Sequence, residues 1–361
     1  MDQHSTPVYA GIDTHADTHH LAVIDAHGRP LEDRQIPATG PGYRRALTLL
    51  DRWPDVAAVG VECTGSYGAA ITRTLLSAGY RVVEVNRPNR FNRRARGKTD
   101  TFDAYSAAEA VLAGRASAAP KGADGLVEAL RVLRTTRSSA LRERTATINQ
   151  IKALLVAGPE RVRAKYRGLS NLKLIAALAA SRPPAAPVTA QEATAYALRT
   201  LARRHQLLTD QIQDLTTHLR RLLEAHAPAL MDVYGAGPDT VAQLLITAGD
   251  HPERLRSEAH FAALTGASPI PASSGKTNRH RLNRGGDRQA NSALYHIVIV
   301  RMRYDQTAKG YDQTTKGYVA RRTAEGRTKA EIIRCLKRYF TRQLFPLIRQ
   351  ALRADQLVLT A

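Results

Sequence analysis

The chain has 361 residues, with 53 Lys and Arg against 32 Asp and Glu, a formal net charge of +21 and 43% hydrophobic residues. So basic a balance makes a polyanion the expected partner, and the apolar content suffices for folded cores, which excludes a disordered basic tail. Two cysteines, Cys63 and Cys335, exclude a disulfide scaffold and a thiolate zinc site, and no apolar run reaches membrane-spanning length.

The opening MDQHSTPVYAGID lacks the basic and apolar regions of a signal peptide, so a reducing, cytoplasmic setting is expected. From residue 7 to 114 strands and helices alternate. VYAGID and HHLAVIDA are β-rich, and RPLEDRQIPA makes a weaker third strand. A helix follows in GYRRALTLLDRW, then the buried strand VAAVGVE, a helix in AAITRTLLSAG, the strand RVVEVN and a helix beginning in GKTDTFDAYSAAEA. Three strands followed by helix–strand units is the order of a ribonuclease H-like α/β domain.

RASAAPKGADG reads as a linker, after which Leu126, Leu130, Leu133, Leu141, Ile148, Ile151 and Leu155 fall at helical spacing. SRPPAAPVTA breaks the helical region. Beyond it Leu201, Leu208, Leu215 and Leu222 recur every seven residues, with Ile212 and Leu219 between them and His205 in one intervening place. This is a heptad seam, suited either to packing against the preceding helix or to a contact between subunits. A mostly helical, very basic region starts at Ala227. Within it YDQTAKGYDQTTKG (residues 304–317) duplicates seven residues, read as a local insertion on a loop. The expected domains are 1–118, 119–226 and 227–361.

Four acids occupy telling places. Asp13 ends the first strand, Glu62 ends the buried strand, and Asp100 and Asp103 stand at i and i+3 on the following helix, facing one side. Such carboxylates can hold two hard cations roughly 4 Å apart, an arrangement that activates an oxygen nucleophile and stabilises a leaving oxygen in phosphodiester chemistry. THADTHH offers histidines, read as solvent-facing or supporting groups because no further zinc ligands accompany them. Just before the helical pair, NRPNRFNRRARGK carries Arg87, Arg90, Arg93, Arg94, Arg96 and Lys98, placed to hold a nucleic-acid backbone at the acids.

In the third region, YGAGPDTVAQLLITAGD resembles a helix-hairpin-helix, whose turn amides grip phosphate without reading sequence. Then SPIPASSGKTNRHRLNRGGDRQANSALY sets Ser273 and Ser274 in a loop with Lys276, Arg279, Arg281, Arg284 and Arg288. A hydroxyl beside guanidiniums can attack a phosphodiester, because the cations stabilise the pentacovalent charge.

Taken together, GIDTH, VECTGSYG, NRPNRFNRRARGKTDTFDA and PIPASSGKTNRHRLNRGGDRQAN resemble the DEDD-type transposases of the one-ten family of insertion sequences over essentially the whole chain. The resemblance implies a RuvC-like, ribonuclease H-fold N-terminal domain, a helical coiled-coil middle and a C-terminal transposase domain. It further implies a DNA recombinase with magnesium bound by Asp13, Glu62, Asp100 and Asp103, and a structured bridge RNA as guide on double-stranded donor and target DNA. Ser273, or else Ser274, would be the nucleophile that forms a covalent phosphoserine link. One protomer's serine would serve another's acids, in a dimer or tetramer associated with the bacterial nucleoid. Lys276 stands where the family has a second glycine, and the duplicated heptapeptide is foreign to the family pattern. A metal-dependent junction nuclease and a non-catalytic nucleic-acid-binding protein are the alternatives.

Overall fold

The computed structural model describes the backbone of residues 6–85, 99–120, 125–276, 280–303 and 312–360, with side chains throughout except at 312–314 and 355–360. Two compact units are formed, Met1–Ala123 and Asp124–Ala361.

In the first unit, β1 (Val8–Thr14), β2 (Thr18–Ile24) and β3 (Pro30–Pro37) run as an antiparallel meander. There follow α1 (Gly40–Leu50), β4 (Val56–Glu62), α2 (Ala69–Ser77), β5 (Val82–Val85) and α3 (Asp100–Leu112). The sheet order is β3-β2-β1-β4-β5, with β4 parallel to both β1 and β5. The unit is thus a mixed α/β layer structure. Its β2–β3 turn is held by Asp25, whose carboxylate accepts from the amides of Arg29 (2.9 Å) and His27 (2.8 Å) and from the Arg29 guanidinium (2.6 Å).

Residue parity divides the sheet's two faces. Ala10, Ile12, Leu21, Val23, Val59 and Val61 pack with Ala46, Leu49 and Leu50 of α1 and Ile71 and Leu75 of α2. On the opposite face Ala58, Val83 and Val85 meet Ala107 and Val111 of α3. Two glycines bring α3 down onto that face. A Cβ on Gly11 would overlap the Ala104 carbonyl oxygen and the Ala108 amide nitrogen, and one on Gly60 would stand 2.6 Å from Val111 Cγ2 and 2.9 Å from the Ala107 oxygen. With Ala104, Ala107 and Ala108 all fully buried, α3 lies almost backbone to backbone on the sheet.

In the second unit, α4 (Leu126–Ala157), α5 (Glu160–Tyr166), α6 (Asn171–Ala179) and α7 (Ala190–His226) precede a helical assembly. That assembly contains α8 (Pro228–Met231), α9 (Pro238–Ala248), α10 (Glu258–Leu264), α11 (Arg288–Arg303), α12 (Asp312–Ala324) and α13 (Lys329–Thr360). A two-stranded sheet, β6 (Ile270–Pro271) with β7 (His280–Arg281), interrupts the helices. A capping box between Thr189 and Glu192 starts α7 immediately after the proline-rich break.

The heptad seam of α7 is covered by the chain itself. Leu208 and Ile212 pack with Ala140, and Leu219 and Leu223 join Leu126, Val127 and Leu130 of α4 in a core shared with α8 to α13. Two long antiparallel helices bury such a stripe against each other, so the seam does not require a second subunit. The duplicated heptapeptide also differs from the loop expected. Residues 304–311 lie outside the described residues, but from Asp312 the second copy forms the start of α12. No helix among the described residues is long and apolar enough to cross a membrane.

Gly11→Ala is expected to lower unfolding stability by about 3 kcal/mol, at the upper end of overpacking costs, because the methyl meets helix backbone rather than a movable side chain; urea denaturation measures it. Leu219→Ala should cost about 2–5 kcal/mol. Its melting temperature should fall by the same amount at every protein concentration, whereas a seam between subunits would make the loss concentration-dependent.

Candidate functional site

The acidic site grows out of the face that α3 occupies. Asp13 follows Gly11 by two residues on β1, and Glu62 follows Gly60 by two on β4, so both carboxylates issue on the α3 side. The β1–β4 register, with Gly11 opposite Gly60 and Ile12 opposite Val61, makes Asp13 and Glu62 neighbours at the ends of two parallel strands. Both are buried. The Thr14 hydroxyl donates to the Glu62 carbonyl oxygen at 3.1 Å and ties the two strand ends together.

At that end α3 begins. Thr99 caps it by accepting from the Phe102 amide at 3.2 Å, and Asp100 and Asp103 fill the first turn, where the helix dipole favours negative charge. Asp103 is buried, whereas Asp100 has a side chain 48% exposed. The chain leaves Glu62 through Cys63, whose φ of +52° lies in the left-handed region. The amides of Ser66 and Gly68 donate to the Cys63 carbonyl and lock that turn. A non-glycine residue held there stores strain, which is concentrated where a side chain must be aimed.

His15 joins the carboxylates. Its Nε2 is 3.1 Å from Asp13 Oδ2 and 3.2 Å from Asp100 Oδ1, and its amide donates to the Thr18 carbonyl at 3.0 Å. Among the described residues, Asp13, His15 and Asp100 form a group whose ligand atoms all lie within 4.8 Å of one another. Burial pushes the Asp13 carboxyl above its usual range; His15 pulls it down, and Asp103 and Asp100 push it up again. Asp103 therefore acts on the same charge cluster. Three of the four expected acids are thus linked by side-chain geometry or electrostatics, and Glu62 by strand register.

His15 was the residue sequence reasoning set aside. Its signal was present in GIDTH: two residues beyond Asp13 on a strand, a side chain returns to the same face. The other histidines of that run have separate partners. His19 lies on the opposite face, stacked on Tyr43 with centroids 5.7 Å apart. His20 pairs with Asp33 at 2.7 Å, and the Tyr105 hydroxyl donates to the same carboxylate at 3.1 Å. Of the basic stretch, Arg87, Arg90, Arg93, Arg94, Arg96 and Lys98 lie outside the described residues.

In the second unit, the serines occupy the exposed tip between β6 and β7. Ile270 pairs with Arg281 and Pro271 with His280, and Ser273 and Ser274 follow within the connecting turn. Gly275 takes φ +54° directly after them. Lys276, Arg281, Arg284 and Arg288 are all exposed, and Arg279 lies outside the described residues. The polar residues of NRGGDRQAN brace the hairpin from below. Asn283 donates to the Ala263 carbonyl at 3.0 Å and Asn291 to that of Thr265 at 2.8 Å. Asp287 caps α11 by accepting from the Gln289 amide at 2.7 Å, and its other oxygen accepts from Thr247 of α9 at 2.6 Å. Gly286 lies against the backbone of Gly266, where no Cβ fits. The motif therefore divides its work: arginines face outward while Asn, Gly and Asp fix the frame.

The glycine turn ahead of α9 also forms, with Gly235 at φ +83° and Pro238 at the first helical position. The helix before the turn, α8, has four residues, and the first-turn Asp239 is already engaged by Arg137 at 2.9 Å and Arg134 at 3.2 Å.

The family model DEDD_Tnp_IS110, described as a transposase, matches residues 10–158, and that of the transposase IS116/IS110/IS902 family matches residues 227–313. The chain is also similar to the insertion element IS110 uncharacterized 43.6 kDa protein of Streptomyces coelicolor, at 30% identity over 143 residues. That alignment covers 39% of this chain and 33% of the Streptomyces protein, about a third of its length. The first match spans the acids of β1, β4 and α3, and the second spans the serine hairpin; the chain belongs to the IS110 family of transposases.

Proposed function

We propose that this chain cuts and rejoins DNA as the recombinase of an insertion sequence, with Asp13, Glu62, Asp100 and Asp103 as its metal-binding acids and Ser273 as its nucleophile. The observation that carries the reading is the convergence of strand-end and helix-start acids on one face of the β1–β4 pair. A ribonuclease H-like fold for the first unit is supported by the strand order and by the change from antiparallel to parallel at β1.

The four acids fit a hard divalent ion such as magnesium: they offer carboxylate oxygens from two strand ends and a helix start, three of the four buried, in a protein otherwise strongly basic. When bound, such an ion supplies Lewis-acid stabilisation of a phosphoryl oxygen. Asp13 and Glu62, fixed at strand ends, set the position of the site, and Asp100 and Asp103 close it from the helix. The arginines between residues 87 and 98 hold the strand by its phosphates. Ser273 attacks phosphorus through Oγ; a phosphoserine bond forms as the deoxyribose oxygen leaves, the serine proton passing to solvent and a proton returning to the departing oxygen. Ser274 is the alternate nucleophile. Exposed Lys276, Arg281, Arg284 and Arg288, with Arg279, neutralise the charge that develops.

A structured RNA bound to the basic surface would pair with donor and target DNA, leaving backbone and shape to the protein. Oligomerisation, if one copy's serine serves another's acids, uses a surface other than the leucine seam, which α4 covers. A junction-resolving nuclease, using the acids alone, makes a different prediction.

Ser273→Ala is expected to abolish the covalent protein–DNA adduct and rejoining, by several orders of magnitude, while magnesium still raises the melting temperature. Continued strand cutting by that variant and by Ser274→Ala, assayed on DNA bearing the element ends with co-purified RNA, would favour the nuclease. Asp13→Asn should remove both cleavage and the magnesium-dependent rise in melting temperature. Unimpaired cleavage in this variant would sink both enzymatic readings.

A further inference from the structure

We propose that His15 is itself a metal ligand, giving the acidic site a nitrogen donor and a preference for Mn2+ over Mg2+. The inference deepens the reading of the acids given above and rests on it. Its ground is the position of one atom. Nε2 of His15 lies 3.1 Å from Asp13 Oδ2 and 3.2 Å from Asp100 Oδ1, facing the two carboxylates that come from different elements. Donor atoms about 3 Å apart match neighbouring ligands on an octahedral ion with bonds of about 2.1 Å. The spacing suits a shared ion as well as it suits hydrogen bonds between the same atoms.

The backbone supports the assignment. His15 is fixed at the end of β1 by its own amide, which donates to the Thr18 carbonyl, and strand parity sends its ring to the face of Asp13. The ring is 42% exposed, so it can turn slightly toward an ion without displacing packed neighbours. The other ring on this face is committed elsewhere, since His20 Nε2 is 2.7 Å from Asp33. Among the described residues, the compact group of potential ligands is Asp13, His15 and Asp100, two oxygens and one nitrogen. Carboxylate and water ligands suit Mg2+ and Mn2+ alike, whereas an imidazole nitrogen adds affinity for a first-row transition metal, so that among these two hard ions it favours Mn2+.

The 361-residue chain loaded with Mn2+ alone tests this by pulsed electron paramagnetic resonance. The expected result is nitrogen modulation of the Mn2+ signal that is lost in His15→Gln, and that changes in unsubstituted protein when histidine is labelled with nitrogen-15. Isothermal titration should show the ratio of Mn2+ to Mg2+ affinity falling about tenfold in His15→Gln. Mn2+ binding that is lost in Asp13→Asn but carries no nitrogen modulation would overturn the role of His15 and leave the acidic site standing. So would modulation that persists in His15→Gln. No Mn2+ binding, or binding indifferent to Asp13→Asn, would overturn the acidic site and this inference with it. The isotope arm needs no substitution, so a poorly folding variant does not protect the proposal.

Discussion

The close approach of α3 to the sheet at Gly11 and Gly60 is the constraint on which the grouping of the first unit's acids depends. An ordinary helix-on-sheet contact keeps about 10 Å between layers because side chains stand between them. Here alanines meet glycines, and Ala104, Ala107 and Ala108 are fully buried. The first turn of α3 is thereby lowered to the level of the strand ends, where Asp13 and Glu62 emerge. Larger residues at positions 11 and 60 would lift the helix and separate acids that come from three elements. The glycines are thus part of the site although they contribute no chemistry.

Gathering those acids opposes folding. Asp13 is buried, and Asp100 and Asp103 add like charge, so its carboxyl is held above the ordinary value near 3.8. The sign follows from linkage. The folded chain holds this proton more tightly than the unfolded chain, so the contribution to stability is full below about 3.8 and is lost as pH rises through the higher folded value. At neutral pH the cluster carries the repulsion of its carboxylates. A cation there would relieve it, and the destabilised pocket therefore favours binding. The strained Cys63 turn beside Glu62 belongs to the same pattern of local cost at a site aimed by its surroundings.

Much of this was legible in the residues. The alternating strands, the buried run ending in Glu62 and the i, i+3 aspartates each carry a local signal, and those signals agreed with one another. His15 was missed because its two-residue offset from Asp13 gains meaning only once the strand is known to continue to Thr14. The interior of NRGGDRQAN was read for its arginines, whereas Asn283, Asp287 and Asn291 turn out to brace the hairpin through bonds to residues 20 to 40 positions distant. Long-range hydrogen bonds leave no periodic trace in a sequence. The second copy of the duplicated heptapeptide became helical because DQTTKGYVARR lacks any proline to stop a helix already favoured by the residues that follow.

The leucine seam shows how a correct local pattern can leave the partner undetermined. A heptad repeat specifies that a helix must bury one stripe; it does not specify whether the partner is a second copy or a distant part of the same chain. In this protein α4 is also long, 32 residues, and can run beside most of the 37 residues of α7. A neighbour tethered through the intervening turns has a high effective concentration, and a free subunit must compete with it. The near ends of both helices also share a core with α8 to α13, so separating them would expose Leu126, Leu130, Leu219 and Leu223 at once. Ion pairs reinforce the arrangement: Arg134 and Arg137 of α4 reach Asp239 of α9, and Arg137 also donates to Thr216 of α7 at 2.7 Å. The long helices therefore anchor the frame behind the serine hairpin, since Arg134 also donates to Gln289 at 2.8 Å, next to the Asp287 that caps α11. What the sequence presents as an association motif is here buried within the chain, in the frame from which the exposed hairpin of Ser273 and Ser274 extends.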